Sequence, residues 1–219
     1  MDPVTHPMPL ATSLRPLIRA VAALALAALA TACSSLLPPP APAPSLHLLD
    51  ATPAAAAQAP QRRDLVLEVS APKAWPGFDT AQMAYTRKPH ALDYFANHRW
   101  ADAPARMIGP LIARAVEQTG GFRAVVQPPT TVGADLRLST ELVRLQQNFA
   151  SKPSESELVL HVQLIDVRTR VVVATRTFEA TEAAPSEDPY GGVIAANRAI
   201  ERLLAQMAAF CVTESARLR

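Results

Sequence analysis

Asp135-Leu136-Arg137-Leu138-Ser139-Thr140-Glu141-Leu142 alternates polar and apolar side chains almost without a break. A period of two belongs to a strand with one face buried and the other in water, so the segment predicts a half-solvated strand with its leucines on one face. Two further runs rich in Val, Leu and Thr follow, residues 157–167 and 170–180, joined at Arg168-Thr169. That short connection predicts an antiparallel meander of three strands. The chain then turns helical over residues 189–210, with Asp188 as N-cap and Pro189 at the first helical position. Val193, Ala196, Ile200, Leu203, Met207 and Phe210 recur at steps of three and four, which gives this helix one apolar face for the sheet.

Working upstream, residues 122–126 predict a strand ended by Pro128-Pro129. Before it, Met107, Ile108, Leu111, Ile112 and Ala115 stand at helical spacing, and Asp102 is the expected N-cap of a helix reaching Thr119, with Pro104 in its first turn and Gly120-Gly121 at its end. Pro110 predicts a kink or a late start, because proline lacks a backbone donor and crowds the preceding turn. Residues 65–69 form a buried strand stopped by Ala71-Pro72 and the Trp75-Pro76-Gly77 turn; residues 82–86 and 91–95, separated by Arg87-Lys88-Pro89, predict a hairpin. The order is strands, helix, four strands, helix. It predicts an α+β domain over residues 64–219, an antiparallel or mixed sheet with two helices packed on one face. Gly191-Gly192 at the start of the last helix is read as permissiveness at helix entry.

The N-terminal part has a different composition. Arg15 and Arg19 precede an unbroken apolar run over residues 20–30, and Ala30-Thr31-Ala32 places small residues before Cys33. This is the outline of a lipobox, so residues 1–32 are expected to be a lipoprotein signal removed before Cys33, whose sulfur then carries diacylglycerol and whose amine carries a further acyl chain. An ordinary secretory signal cut near Ala32 is the alternative. The apolar run is shorter than the roughly 20 residues a bilayer core requires. Residues 33–63 are rich in Pro and Ala, as in Pro38-Pro39-Pro40-Ala41-Pro42, and predict an extended tether. Within it, Leu46-His47-Leu48-Leu49 is a short apolar patch able to add an edge strand. Ser34, where an aspartate would signal inner-membrane retention, points to the outer membrane and its periplasmic face.

Composition narrows the function classes. Lys plus Arg total 21 against 19 Asp plus Glu with no basic block, so nucleic acid is not an implied partner. With Cys33 lipidated, Cys211 has no partner for an intramolecular disulfide, and its apolar helical setting predicts a buried, inert thiol. No nucleophile motif is present, the histidines His47, His90, His98 and His161 lack metal-site spacing, and Gly191-Gly192 lacks the remainder of a phosphate loop. No catalytic residue, metal or cofactor is expected beyond the acyl groups on Cys33, and the chain is not read as an enzyme. Aromatic residues make up only 5% of the chain, yet two short segments are rich in them: residues 75–78 with Trp75, and residues 85–100 with Tyr85, Tyr94, Phe95 and Trp100. They are either core or an exposed surface that docks a partner or a lipid.

The quoted pattern resembles a known family. Met83-x-Tyr85, then Leu92-x-Tyr94-Phe95-Ala96-x-His98-x-Trp100-Ala101-Asp102-x-Pro104, the Leu111 helix, Gly121-Phe122-x-x-Val125, Leu136-x-Leu138-x-x-Glu141-Leu142 and the 171–178 strand before a long helix are similar to the ABC-type transport auxiliary lipoproteins, which include paraquat-inducible protein C. The likeness runs from about Leu46 to the end. In place of the family's usual strand with a tyrosine before its leucines stands Leu46-His47-Leu48-Leu49. The resemblance implies a small α+β sandwich and a non-enzymatic outer-membrane lipoprotein. Such a protein would work beside a mammalian-cell-entry (MCE) type ABC transporter, with an MCE-domain periplasmic protein as partner and phospholipid or another apolar molecule as cargo. A rival reading is a structural lipoprotein that helps to assemble another outer-membrane complex.

Overall fold

The computed structural model describes residues 18–24, 43–52 and 58–218, so the signal cleavage site and Cys33 lie outside the described residues. Two compact units are present, Met1–Pro42 and Ala43–Arg219. In the first, residues 18–24 are helical; among the described residues, no helix is long and apolar enough to cross a membrane.

The second unit is organised around one long strand. In chain order it contains β1 (Ser45–His47), β2 (Arg63–Val69), β3 (Lys73–Ala74), β4 (Gln82–Thr86), β5 (Asp93–Trp100), α1 (Pro104–Gln118), β6 (Phe122–Val126), β7 (Leu136–Asn148), β8 (Glu155–Asp166), β9 (Val171–Ala183) and α2 (Pro189–Ala216). One edge of β7 pairs antiparallel with β8 over nearly its whole length, and β8 pairs in turn with β9, which is the expected meander. The other edge of β7 is shared by three segments, all parallel to it. Leu67–Val69 of β2 lies against Leu136–Leu138, β3 against Glu141–Leu142, and Ala84–Thr86 of β4 against Gln146–Asn148. Each outer segment carries a wing: β6 pairs with β2, whereas β5 pairs with β4 and β1 with β5. The result is a mixed, nine-stranded open sheet.

Both helices cover the same face, touching one another and dividing the sheet between them: α1 lies over β2, β3 and β6, and α2 over β8 and β9. The side chains that alternate toward them, Leu136, Leu138 and Leu142 from β7 and Leu158, Leu160, Val162 and Leu164 from β8, are buried. Each such side chain contributes about 1.5–3 kcal/mol by leaving water. The alternation visible in the sequence stops at Leu142 because a bulge between Leu142 and Arg144 resets the register; beyond it Leu145 and Gln147 are the buried positions.

Several expectations need correction. The compact unit begins at Ala43 rather than at residue 64, since β1 joins the sheet and Leu49 and Ala51 enter the core. The N-cap of α1 is Ala103, not Asp102. The Asp102 carboxylate instead accepts from its neighbour's amide, Ala103 N, at 2.7 Å and pairs with Arg106 Nε at 2.9 Å. Pro110 does not delay the start of α1, which runs unbroken through it from Pro104 to Gln118. Pro110 and Arg106 are both exposed, so the Arg106 carbonyl that lacks a helical donor can be solvated. The last helix extends to Ala216, where Cys211 and Ser215 are still buried.

Gly191-Gly192 is also explained differently. Asp188 does cap α2, accepting from Gly191 N at 2.7 Å, but neither glycine has a positive φ. Space is the reason for both: a Cβ on Gly191 would run into the Ser186 backbone, and one on Gly192 into the Gln147 side-chain amide. That buried amide donates to Ser154 Oγ at 2.9 Å and to the Asp188 carbonyl at 3.2 Å, joining β7 to the start of α2. Gly192→Ala should therefore destabilise the domain by about 1–3 kcal/mol through overpacking, measured as a lower urea midpoint at unchanged slope.

Candidate functional site

The β4–β5–β1 wing lies beside the first turns of α2 and carries a row of aromatic rings. Tyr85 of β4 and Phe95 of β5 meet with ring centroids 4.5 Å apart. Phe149, just after β7, stands edge-on to both, at 5.9 Å from Tyr85 and 6.2 Å from Phe95. Its backbone amide donates to the Thr86 carbonyl at 2.8 Å, which fixes it beside β4. The row continues from Phe95 to His98 at 6.3 Å, from His98 to His47 at 5.3 Å, and from His47 to Tyr190 of α2 at 6.1 Å. Tyr85, Phe95, Phe149, His98 and His47 are half-buried, and Tyr190 is 60% exposed. The Arg87 guanidinium carbon sits 5.1 Å from the Tyr85 centroid, a cation–π contact.

The four aromatics singled out from the sequence do not form one surface. Trp100 is 4% exposed and belongs to the core, so it is corrected from a docking residue to a packing one. Tyr94 lies opposite Ala84, on the face away from Tyr85. Its hydroxyl donates to the Gly77 carbonyl at 2.9 Å. That ties β5 to the Trp75–Phe78 turn, in which Gly77 holds φ +90° and Phe78 N donates to the Trp75 carbonyl at 3.0 Å. Trp75 itself is 51% exposed. Of the aromatics singled out, Tyr85 and its neighbour Phe95 stand in the ring row. Phe149, His47 and Tyr190 were not singled out: they come from distant parts of the chain, and only the pairing of β1 with β5 and of β4 with β7 brings them together.

Cys211 is fully buried, and burial pushes its thiol up to about 12, far from a reactive thiolate. Among the described residues no group of three or more His, Cys, Asp or Glu side chains is placed to hold a metal ion. The small space lined by Phe95, Trp100, Met83, Leu145, Gln147 and Ala196 measures about 10 Å³. That is room for about one water and not for an acyl chain.

Comparison with known proteins adds three findings. The sequence model for the ABC-type transport auxiliary lipoprotein component family matches residues 47–208. Among solved structures, a Xanthomonas campestris protein superposes with a TM-score of 0.67 at 21% identity, over 80% of this chain and 96% of that one. A second, uncharacterized protein superposes with a TM-score of 0.59 at 12% identity, over 80% of this chain and 99% of that one. At these identities the structures are similar in fold alone. No curated protein matches the sequence.

Proposed function

Since the chain belongs to the family of ABC-type transport auxiliary lipoprotein components, we propose that it is the membrane-anchored accessory subunit of an MCE-type transporter, held at the periplasmic face of the outer membrane. In this reading the lipid on Cys33 provides the anchor and the Pro/Ala-rich segment provides the reach. The folded domain meets the MCE-domain periplasmic protein, so that phospholipid or another apolar molecule can pass between membranes. The observation that carries the docking role is the Tyr85–Phe95–Phe149 cluster with its continuation to Tyr190. These rings are half-buried, or exposed at Tyr190, and run from β4 across β5 and β1 to the first turn of α2, and partly exposed aromatics dominate binding energy at many interfaces.

Purification of the tagged full-length protein from its own membranes in mild detergent tests the proposal. Recovery of an MCE-domain protein with its permease and ATPase is expected. Recovery of an outer-membrane barrel or secretin instead would replace this reading with the structural-lipoprotein one.

A further inference from the structure

His47 and His98 meet across the β1–β5 pair, with His47 Nε2 at 3.0 Å from His98 Nδ1. The ring planes differ by 8° and the centroids are 5.3 Å apart. That separation is what the nitrogen–nitrogen distance plus two ring radii gives when the rings share a plane, so the contact is an in-plane hydrogen bond and not a stack. Such a bond requires one nitrogen with its proton and the other without. The neutral pair satisfies this, and so does the pair with one added proton. When both rings are cationic, two N–H groups face each other and repulsion replaces the bond.

The position of the pair gives this chemistry a consequence. β1 is three residues long and is the edge of its wing. Beyond its backbone pairing and the bond from Ala101 N to the His47 carbonyl at 2.7 Å, its side chains hold little, since Leu46 is exposed and so is Leu48 just after it. From Leu49 onward the segment is secured separately. Leu49 and Ala51 are buried, and Asn197 of α2 accepts from Asp50 N at 3.0 Å while donating to the Leu48 carbonyl at 3.0 Å. The groove beside His47 is lined by Asp50, Tyr190, Arg198 and Glu201. Near His98 lies the Asp188 carboxylate, held below the usual carboxylate range first by the Gly191 amide and then by Ser186. It keeps its charge throughout the range in which histidine titrates. Strand alternation sends Arg99 to the opposite face. The charged groups around the pair are therefore Asp50, Asp188, Arg198 and Glu201.

We propose that the His47–His98 pair is a proton-operated latch that holds β1 against the sheet at neutral pH and releases it in acid. Burial lowers the pKa of His47, and the charge of His98 lowers it further. The latched state therefore binds fewer protons than the released strand. Its stabilisation is fully present above the ordinary histidine value of about 6.5 and is lost as pH falls through the depressed one. Release frees residues 45–48 up to the anchor at Leu49 and lengthens the connection by roughly 10–15 Å. This consequence for reach rests on the lipid-tether reading; the latch itself does not.

Hydrogen exchange of the full-length protein in detergent, read by mass spectrometry as protection factors so that the intrinsic pH dependence drops out, tests the latch. Between pH 7.5 and 5.0, protection over residues 45–48 should fall roughly tenfold while that of β8 is unchanged. His98→Gln should remove this pH dependence, and His47→Phe, which keeps a planar ring without a titrating nitrogen, gives the same test should the first variant not fold. Protection that is flat in the wild type, or a fall that persists in the folded variant, would overturn the proposal. Neither result depends on which partner the domain binds.

Discussion

Cys33→Ser should move the protein entirely from the membrane fraction to the soluble fraction. Lipidation forms a thioether, and a serine hydroxyl does not replace the sulfur in that bond. The other cysteine gives no substitute, because Cys211 is fully buried in α2 with its thiol pushed up to about 12. Each methylene of an acyl chain contributes about 0.8 kcal/mol to membrane binding, and two or more chains give stable anchoring whereas one gives only reversible attachment. Fractionation of the two proteins, with the mass of the wild-type mature N-terminus, checks this. A wild-type N-terminus with an unmodified Cys33, or a serine variant that stays with the membrane, would contradict the anchor. Density-gradient separation should then place the wild type with outer-membrane markers.

The second large effect is on folding. Trp100→Ala should cost about 3–5 kcal/mol, as large-to-small aromatic truncations in cores do. Trp100 is buried at the end of β5, where its amide donates to the Ala81 carbonyl at 2.8 Å and its neighbour in β1 is His47. The space beside it already holds a small void, so the loss of the indole enlarges a cavity between the sheet and α2 that rigid strands cannot close. For a domain of this size a fall in melting temperature of about 10 °C is expected. Trp75→Ala, on an exposed side chain, should stay within about 0.5 kcal/mol of wild type. Equal melting temperatures for the two variants would contradict the placement of Trp100 in the core.

What the sequence made legible follows from the range of the interactions that set each element. The meander and α2 are written in local periodicity: Leu136 to Leu142 alternate, Val193 to Phe210 recur every three or four residues, and Asp188 with Pro189 marks a helix start. The bulge after Leu142 is not written there, because it depends on how β8 pairs rather than on any one residue type. Proline and aspartate near residue 102 gave a correct helix with a cap one residue too early, since helix entry at Pro104 makes Ala103 the cap. Gly191 and Gly192 read as permissiveness at helix entry, whereas it is the close approach of Ser186 and Gln147 that requires them.

The site was less legible for the same reason. Tyr85 stood out by its rarity, but its partners Phe95, Phe149, His98, His47 and Tyr190 belong to four different segments, β5, the chain just past β7, β1 and α2, and no spacing relates them. Two histidines separated by 51 positions gave no metal-like spacing, yet parallel pairing of β1 with β5 sets their nitrogens in hydrogen-bond contact. Trp100 and Tyr94 shared the aromatic enrichment of the region without sharing its surface: one closes the core and the other pins the Gly77 turn.

The proposed docking role is tested most directly by binding of the purified full-length protein to the MCE-domain protein recovered with it, measured by calorimetry for wild type, Tyr85→Ala and Trp75→Ala. The account predicts that Tyr85→Ala weakens association by about 1–3 kcal/mol, that is, roughly 5- to 150-fold in Kd. Trp75→Ala, on the face away from the ring row, should leave it unchanged, and the two variants should differ little in melting temperature. Wild-type affinity for Tyr85→Ala, or a loss for Trp75→Ala alone, would contradict the claim that the Tyr85–Phe95–Phe149 end of the sheet is where this lipoprotein meets its transporter.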